Sequence, residues 1–354
     1  MTVAELLRLR MANFQLTRKL FSRPEDLTVH LGAVQAQDFA GGIWALGMRM
    51  PTGSFRDIEA AIRKKSIIRT WSLRGTLHFL PATQARWILG LVYPRLLVHY
   101  GGIFRKLGLE DHIIAKSQII IRKTLSGGKQ LTRDEISQSL EGNGIPTGGL
   151  RSNFLFYRAA WEQLICFGPR RGKQFTFTLM DEWIPPSRKV SREEGITLLT
   201  LIYFTSHGPA TIKDFSWWSG LGPQEAWQGI EDLGKDLEPI QVAGQTFYRH
   251  GGQKVPDGHR DPLFLLPPFD EYTVAFRERG HFNPENLPPS ALLGPVILHR
   301  GKVIGNWKRT IQRNHMLFSY HLSGKESPAL HRKIQTEAKK YGAFWGLPRV
   351  IFAV

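Results

Sequence analysis

Two glutamines flank one small residue in the run Leu31-Gly32-Ala33-Val34-Gln35-Ala36-Gln37-Asp38-Phe39, where most of the neighbouring positions are apolar. A glutamine amide has a carbonyl that accepts hydrogen bonds and an NH2 that donates them, but no useful pKa, so it cannot be a strong general base. What such a pair can do is place a water: a carbonyl takes one of the water's hydrogens while an NH2 holds a phosphate or sugar oxygen. A second run, Arg69-Thr70-Trp71-Ser72-Leu73-Arg74-Gly75-Thr76-Leu77-His78, sets two arginines around a tight turn. With 47 Lys and Arg against 30 Asp and Glu, a net charge of +17, these features point to water held beside nucleic acid. A second reading stays open, in which Gln35 and Gln37 are buried amides that cap a helix end or bond to backbone. Asp38, the nearest carboxylate, either stabilises developing positive charge or serves as a cap.

The elements that must carry these residues follow an order that repeats. Helical periodicity over 5–20, 25–37 and 54–64 precedes two strands, 67–71 and 76–80, around the turn at 72–75. Helices followed by a hairpin are the pattern of a winged helix. On a regular helix, positions i and i+2 do not share a face, so Gln35 and Gln37 can line one pocket only at a helix end or in a distorted segment, which Gly32, Gly41 and Gly42 make feasible. A second region has a capping box at Thr132 and Glu135, a helix over 152–164, and strands 165–167 and 174–179 around the turn Gly168-Pro169-Arg170-Arg171-Gly172-Lys173. A third has helices over 191–205, 211–218 and 223–233 before a wing at 240–242 and 246–248. Beyond about residue 261, Pro-rich turns and short apolar strands take over, with one late helix over 328–341. The expectation is an α+β chain of three tandem winged-helix units, 1–110, 111–190 and 191–258, followed by a small C-terminal antiparallel, β-barrel-like region, 259–354.

Cations recur at the hairpins. Arg69 and Arg74 flank the first, Arg170, Arg171 and Lys173 tip the second, and Lys308, Arg309 and Arg313 cluster near the turn His299-Arg300-Gly301-Lys302. Arg69, Arg74, Arg170, Arg171, Lys173, Lys308, Arg309 and Arg313 are candidates for phosphate contacts that position a duplex without reading its sequence. For Arg69, beside Trp71, a packing role is the competing reading, and for the others a solvated turn. His78 alternates with Leu77 and Phe79 and reads as a satisfied strand histidine. Asp270 and Glu271, after two prolines, read as residues that fix a turn.

The single cysteine, Cys166, excludes a disulfide framework and a Cys-based zinc site, and suits a reducing cytoplasm. Neither a signal peptide nor a membrane span is expected, since the most apolar stretch, 87–100, is short and broken by Pro94 and Arg95. There is no Walker A run, no Gly-x-Gly-x-x-Gly after a strand, no His-Glu-x-x-His and no Gly-x-Ser-x-Gly, so nucleotide, zinc-hydrolase and serine-hydrolase chemistry lack support.

At Val34 to Gln37, Arg69 to His78, Gly208-Pro209-Ala210-Thr211-Ile212-Lys213-Asp214-Phe215, Leu265-Leu266-Pro267-Pro268-Phe269-Asp270-Glu271-Tyr272 and Gly301-Lys302-Val303-Ile304-Gly305-Asn306-Trp307, the sequence resembles the AlkZ-like family of bacterial DNA glycosylases. That family lies within the tandem winged-helix group that includes the YcaQ branch. The resemblance implies three winged-helix units around a basic concave channel and excision of alkylated purines, including bulky or crosslinked N7-alkylguanine. It maps the family's catalytic Gln-x-Gln onto Gln35 and Gln37; the YcaQ branch has Asp at the second position. A purine alkylated at N7 is cationic and leaves as a neutral base, so little leaving-group protonation is needed and amides suffice. No lysine is invoked as a Schiff-base nucleophile, which implies a monofunctional enzyme of base excision repair. The expected partner is double-stranded DNA, met by a nucleoid-associated cytoplasmic monomer without metal or cofactor. Two alternatives are a non-catalytic winged-helix regulator reading bases with the helix over 223–233, and a family member reduced to damage sensing.

Overall fold

The computed structural model describes residues 1–258, 261–283, 287–324 and 326–352, and its strands form three sheets. The first contains β1 (Val34–Gln35), β2 (Ile67–Trp71), β3 (Leu77–Pro81), β4 (Leu131–Thr132), β5 (Ile165–Phe167) and β6 (Thr176–Leu179), in the order β1-β3-β2-β5-β6-β4. β2 and β3 are antiparallel from Ile67↔Pro81 to Trp71↔Leu77, and every residue of both is buried. Their β-branched and aromatic content suits a doubly covered surface. β5 and β6 form a second hairpin, and the two hairpins meet at one rung, Arg69↔Phe167. The first two predicted regions therefore share a sheet.

The helix Pro24–Leu31 ends at Gly32, where φ is +74° and an added Cβ would lie 2.7 Å from Ile202 Cγ2. Only glycine fits that turn. The helix expected over 25–37 thus stops early, and the glutamine run becomes extended: Val34 and Gln35 pair with Phe79 and His78, and the Ala36 N–H continues the ladder to the Leu77 carbonyl at 2.7 Å. The helix Phe39–Gly47 starts immediately after, with the Asp38 carboxylate accepting from the Ala40 N–H at 3.1 Å. Ser54 caps Phe55–Arg63 and Thr132 caps Arg133–Gly142 through capping boxes, the second as the sequence pattern predicts. One 25-residue helix, Ala82–Lys106, runs through Pro94. Among the described residues no helix is long and apolar enough to cross a membrane.

The helices Arg192–Ser206, Ile212–Ser219 and Pro223–Leu233 precede a two-stranded sheet of β7 (Leu237–Val242) and β8 (Gln245–His250). The last sheet has β9 (Leu263–Leu266), β10 (Val296–His299), β11 (Lys302–Ile311), β12 (His315–Leu322) and β13 (Arg349–Phe352), ordered β13-β12-β11-β10-β9. The antiparallel expectation is corrected at one edge, where β13 joins β12 in parallel. Parallel neighbours need a crossover, and the helix Pro328–Phe344 supplies it.

Two buried contacts fasten this last region to the helix that follows the glutamines. The Trp44 indole donates to the Leu265 carbonyl at 2.8 Å, and Arg49 makes a two-pronged pair with Asp270 at 2.9 and 2.7 Å. Asp270 also accepts from the Tyr272 N–H, so it does fix a turn.

Candidate active site

The spacing problem posed by the two glutamines does not arise, because the run is not helical: β1 ends at Gln35 and Gln37 follows in a bend before the helix Phe39–Gly47, so helical geometry does not separate them. Ala36 is fully buried and Gln35 is 7% exposed, whereas Gln37 is exposed.

Both amides are tied to the first hairpin's turn. Arg74 Nη2 donates to Gln35 Oε1 at 3.3 Å, and the Leu77 N–H donates to Gln37 Oε1 at 3.2 Å. Each carbonyl has a second lone pair, so neither anchor prevents it from accepting a hydrogen from water. The turn is itself held: Arg74 Nη1 donates to the Trp218 carbonyl, and Gly75, with φ +76°, faces the Tyr100 ring, which a Cβ would approach to 2.9 Å. Arg74 is half-buried. Burial lowers its pKa, while Glu271 opposes that shift.

Glu271 enters from a segment remote in sequence. Its Oε1 accepts the Gln35 backbone N–H at 2.7 Å and its Oε2 accepts the Trp218 indole N–H at 3.0 Å, with His207 Nε2 at 3.7 Å. Burial pushes this carboxyl up, but the surrounding His207, His78 and Arg74 outweigh burial and hold it at about 2. The Asp-Glu pair suggested a turn; the contact to Gln35 had no local signal, because 236 positions separate the partners.

His78 sits across from Gln35 on β3, its Nδ1 3.0 Å from the Thr76 carbonyl. Burial, reinforced by Arg74, lowers it to about 4, so it is neutral at physiological pH. Cys166 is buried, which raises its thiol to about 12 and removes it from chemistry.

The eight candidate cations divide by location. Arg69 is 5% exposed, and its Nε and Nη2 donate to the Ala36 carbonyl at 3.1 and 2.9 Å. The phosphate contact expected of Arg69 is therefore corrected: a side chain turned inward onto Ala36 holds the backbone between the two glutamines. Arg74 likewise points to Gln35 and Trp218. Arg170, Arg171 and Lys173 stand exposed at the second hairpin's tip, with Arg170 3.3 Å from Glu59 and Arg171 2.8 Å from Glu135. Lys308 is exposed on β11, Arg309 is half-buried over the Tyr341 ring at 5.1 Å, and Arg313 is exposed in the turn between β11 and β12. The structure thus brings Gln35, Gln37 and Arg74 together at the first hairpin's turn, sets Arg69 against the backbone between the glutamines from the other face of the sheet, and places the other six candidate cations elsewhere.

Comparison with known proteins gives a consistent result. The family described as DNA glycosylase AlkZ-like matches residues 28–344. An interstrand DNA cross-link repair glycosylase of Streptomyces sahachiroi is 24% identical over 311 residues, covering 80% of this chain and 81% of that protein. The solved structure of the Streptomyces sahachiroi DNA glycosylase AlkZ superposes with a TM-score of 0.80 at 22% identity, over 100% of both chains, and shows that the fold is shared.

Proposed function

The chain belongs to the AlkZ-like DNA glycosylase family, and from that premise we propose that it hydrolyses the N-glycosidic bond of cationic N7-alkylated purines in double-stranded DNA. Gln35 and Gln37 hold the attacking water. The observation that carries this is the anchoring of both amides by one turn, through Arg74 and the Leu77 N–H. An amide that is already oriented places water without further ordering cost when the substrate arrives. The C1′–N9 bond breaks with its electron pair passing to the purine, which leaves neutral. The water oxygen bonds to C1′, and its surplus proton passes to solvent. No group has to protonate the base, and no lysine has to bond the sugar, so the enzyme is monofunctional.

The name of the Streptomyces relative extends the proposal to interstrand crosslinks. In the proposed arrangement, three winged-helix units, 1–110, 111–190 and 191–258, and the C-terminal β region, 259–354, grip the duplex. Arg170, Arg171, Lys173, Lys308, Arg309 and Arg313 supply the phosphate contacts, and the protein acts as a monomer in the cytoplasm, at the nucleoid. Electrostatics disfavour the regulator alternative. The helix Pro223–Leu233 contains Glu225, Glu231 and Asp232 and no Lys or Arg, which is a poor surface to lay against phosphates.

The test is single-turnover base release from duplexes containing 7-methylguanine, 1,N6-ethenoadenine or uracil. Release of 7-methylguanine should be far the fastest, with little change in rate between about pH 6 and 9, since neither glutamine titrates. Rapid uracil excision with a bell-shaped pH profile would rule out the mechanism. Tight sequence-specific binding without any base release would rule out the enzyme.

A further inference from the structure

Two adjacent tryptophans of the helix Ile212–Ser219 meet different surroundings. Trp218 is fully buried against the rings of Tyr203 and His207, whereas Trp217 is 43% exposed. An exposed apolar ring standing alone says little. This one is fixed, because its indole N–H donates to the Val274 carbonyl at 3.1 Å. The segment 274–279 runs on beside the same helix, where the Arg277 and Glu278 N–H groups donate to Asp214 Oδ1 at 2.9 and 3.0 Å. Lys213, one helical turn before Trp217, is exposed, as is Arg277, and Arg279 is half-buried. None of these three cations forms an ion pair among the described residues; Arg279 donates only to the Phe276 carbonyl, at 3.2 Å. Asp214 is fully buried and occupied by the Thr211, Arg277 and Glu278 N–H groups, so Glu278 is the exposed carboxylate set against them.

The patch borders the glutamine site. Arg74 reaches Gln35 Oε1 with Nη2 and the Trp218 carbonyl with Nη1, so one guanidinium joins the glutamine to the end of this helix. Besides burial, the charge of Arg279 lowers the pKa of Arg74, which puts the far end of segment 274–279 within electrostatic reach of the same turn. Unpaired cations around a fixed ring suit a polyanion that carries flat faces. The cations neutralise phosphates and release their counterions, while the ring stacks on a base. In a fully paired duplex each base face is already covered by its neighbours. The ring is of use only where a base has come out of the stack.

We propose that Lys213, Arg277 and Arg279 hold phosphates of the DNA beside the glutamine site, and that Trp217 stacks on a base left unstacked there. The proposal rests on the base-release function above in setting the damaged nucleotide at the glutamines. It gives the protein a preference for locally opened DNA over fully paired duplex.

Equilibrium binding of the full chain to two undamaged duplexes tests it, one fully paired and one carrying a single bulged base. Trp217→Ala should weaken binding to the bulged duplex about 10-fold and to the paired duplex by less than about 2-fold. Trp217→Phe keeps a ring and should recover most of that loss, which the missing hydrogen bond to Val274 alone would not allow. Lys213→Ala, Arg277→Ala and Arg279→Ala combined should reduce the slope of log affinity against log salt by about two to three units on both duplexes, with a melting curve close to wild type. Wild-type affinity of Trp217→Ala for the bulged duplex, an equal loss on both duplexes, or an unchanged salt slope in the combined variant would each overturn the assignment. Single-turnover base release by the wild-type protein separates the two ideas. Release, with binding indifferent to these substitutions, refutes the patch alone, whereas a protein that releases nothing yet shows these binding differences refutes the function and keeps the patch as a DNA-binding surface.

Discussion

Two hairpins of one sheet, residues 67–81 and 165–179, use the same residue type for opposite purposes. Arg69 and Arg74 in the first turn inward and hold Ala36 and Gln35. Arg170 and Arg171 at the tip of the second turn outward and pair with Glu59 and Glu135 on the surface. The lesson is that a hairpin's arginines can serve as internal scaffold or stand at the surface, and tertiary placement decides which. β2 and β3 are buried throughout because sheet and helices cover both their faces, so a cation there must find protein acceptors. The second tip is exposed, so Arg171 and Lys173 stay in water, while Arg170 also lies over the Phe39 ring at 4.9 Å.

The largest expected contrast is in stability. Arg69→Ala orphans the Ala36 carbonyl and empties the space between Phe167 and Phe175, and should cost about 4 kcal/mol in urea unfolding. Arg171→Ala, on an exposed pair, should leave the urea midpoint almost unchanged. Equal effects would erase the distinction between the hairpins.

Acid should separate them next. His78 in the first hairpin is held neutral to about pH 4, below its ordinary value of 6.5. A base with a depressed folded pKa leaves the unfolded chain binding more protons, so its contribution is complete above pH 6.5 and is lost as pH falls towards 4. That loss amounts to roughly 3 kcal/mol, and His78→Gln should remove it from the pH dependence of stability. His30 and His207, also lowered by burial, add in the same direction. At the second hairpin, Arg171 together with Thr132 holds Glu135 at about 2, so that contact should persist until pH falls from 4.5 towards 2. Hydrogen exchange resolved by hairpin would show the first opening at the higher pH.

Catalysis gives a smaller contrast. Arg74→Ala frees the Gln35 carbonyl and should slow single-turnover base release about 10-fold with DNA affinity nearly unchanged. Arg170→Ala should alter affinity and leave the bound rate alone. The smallest effect is in salt dependence. Neutralising Arg170, Arg171 and Lys173 together should reduce the slope of log affinity against log salt by about one unit, because two of the three already have carboxylate partners; a drop near three would mean that DNA displaces both.

How much of this was legible depended on the range of the interactions involved. Both hairpins, the capping box at Thr132 and the helix order of 191–233 follow from local alternation, caps and turn residues, and they fold where the pattern places them. The segment 25–37 misleads because its apolar spacing continues as a helix through Gly32, and only the neighbouring Ile202 and the pairing with β3 reveal that the chain must turn there. The inward arginines and Glu271 could not be assigned from sequence, since what they hold lies 33 to 236 positions away. The parallel edge at β13 was hidden for the same reason, because a strand's neighbour is set by where a crossover helix returns it.

The central claim is that the amides of Gln35 and Gln37 hold the attacking water. Single-turnover release of 7-methylguanine from duplex DNA, measured beside binding of the same duplex, tests it most directly. Gln37→Ala and Gln35→Ala should each slow release by about 10² or more while affinity stays within about 2-fold. A double variant that releases the base at the wild-type rate would contradict the claim and leave both glutamines as structural residues.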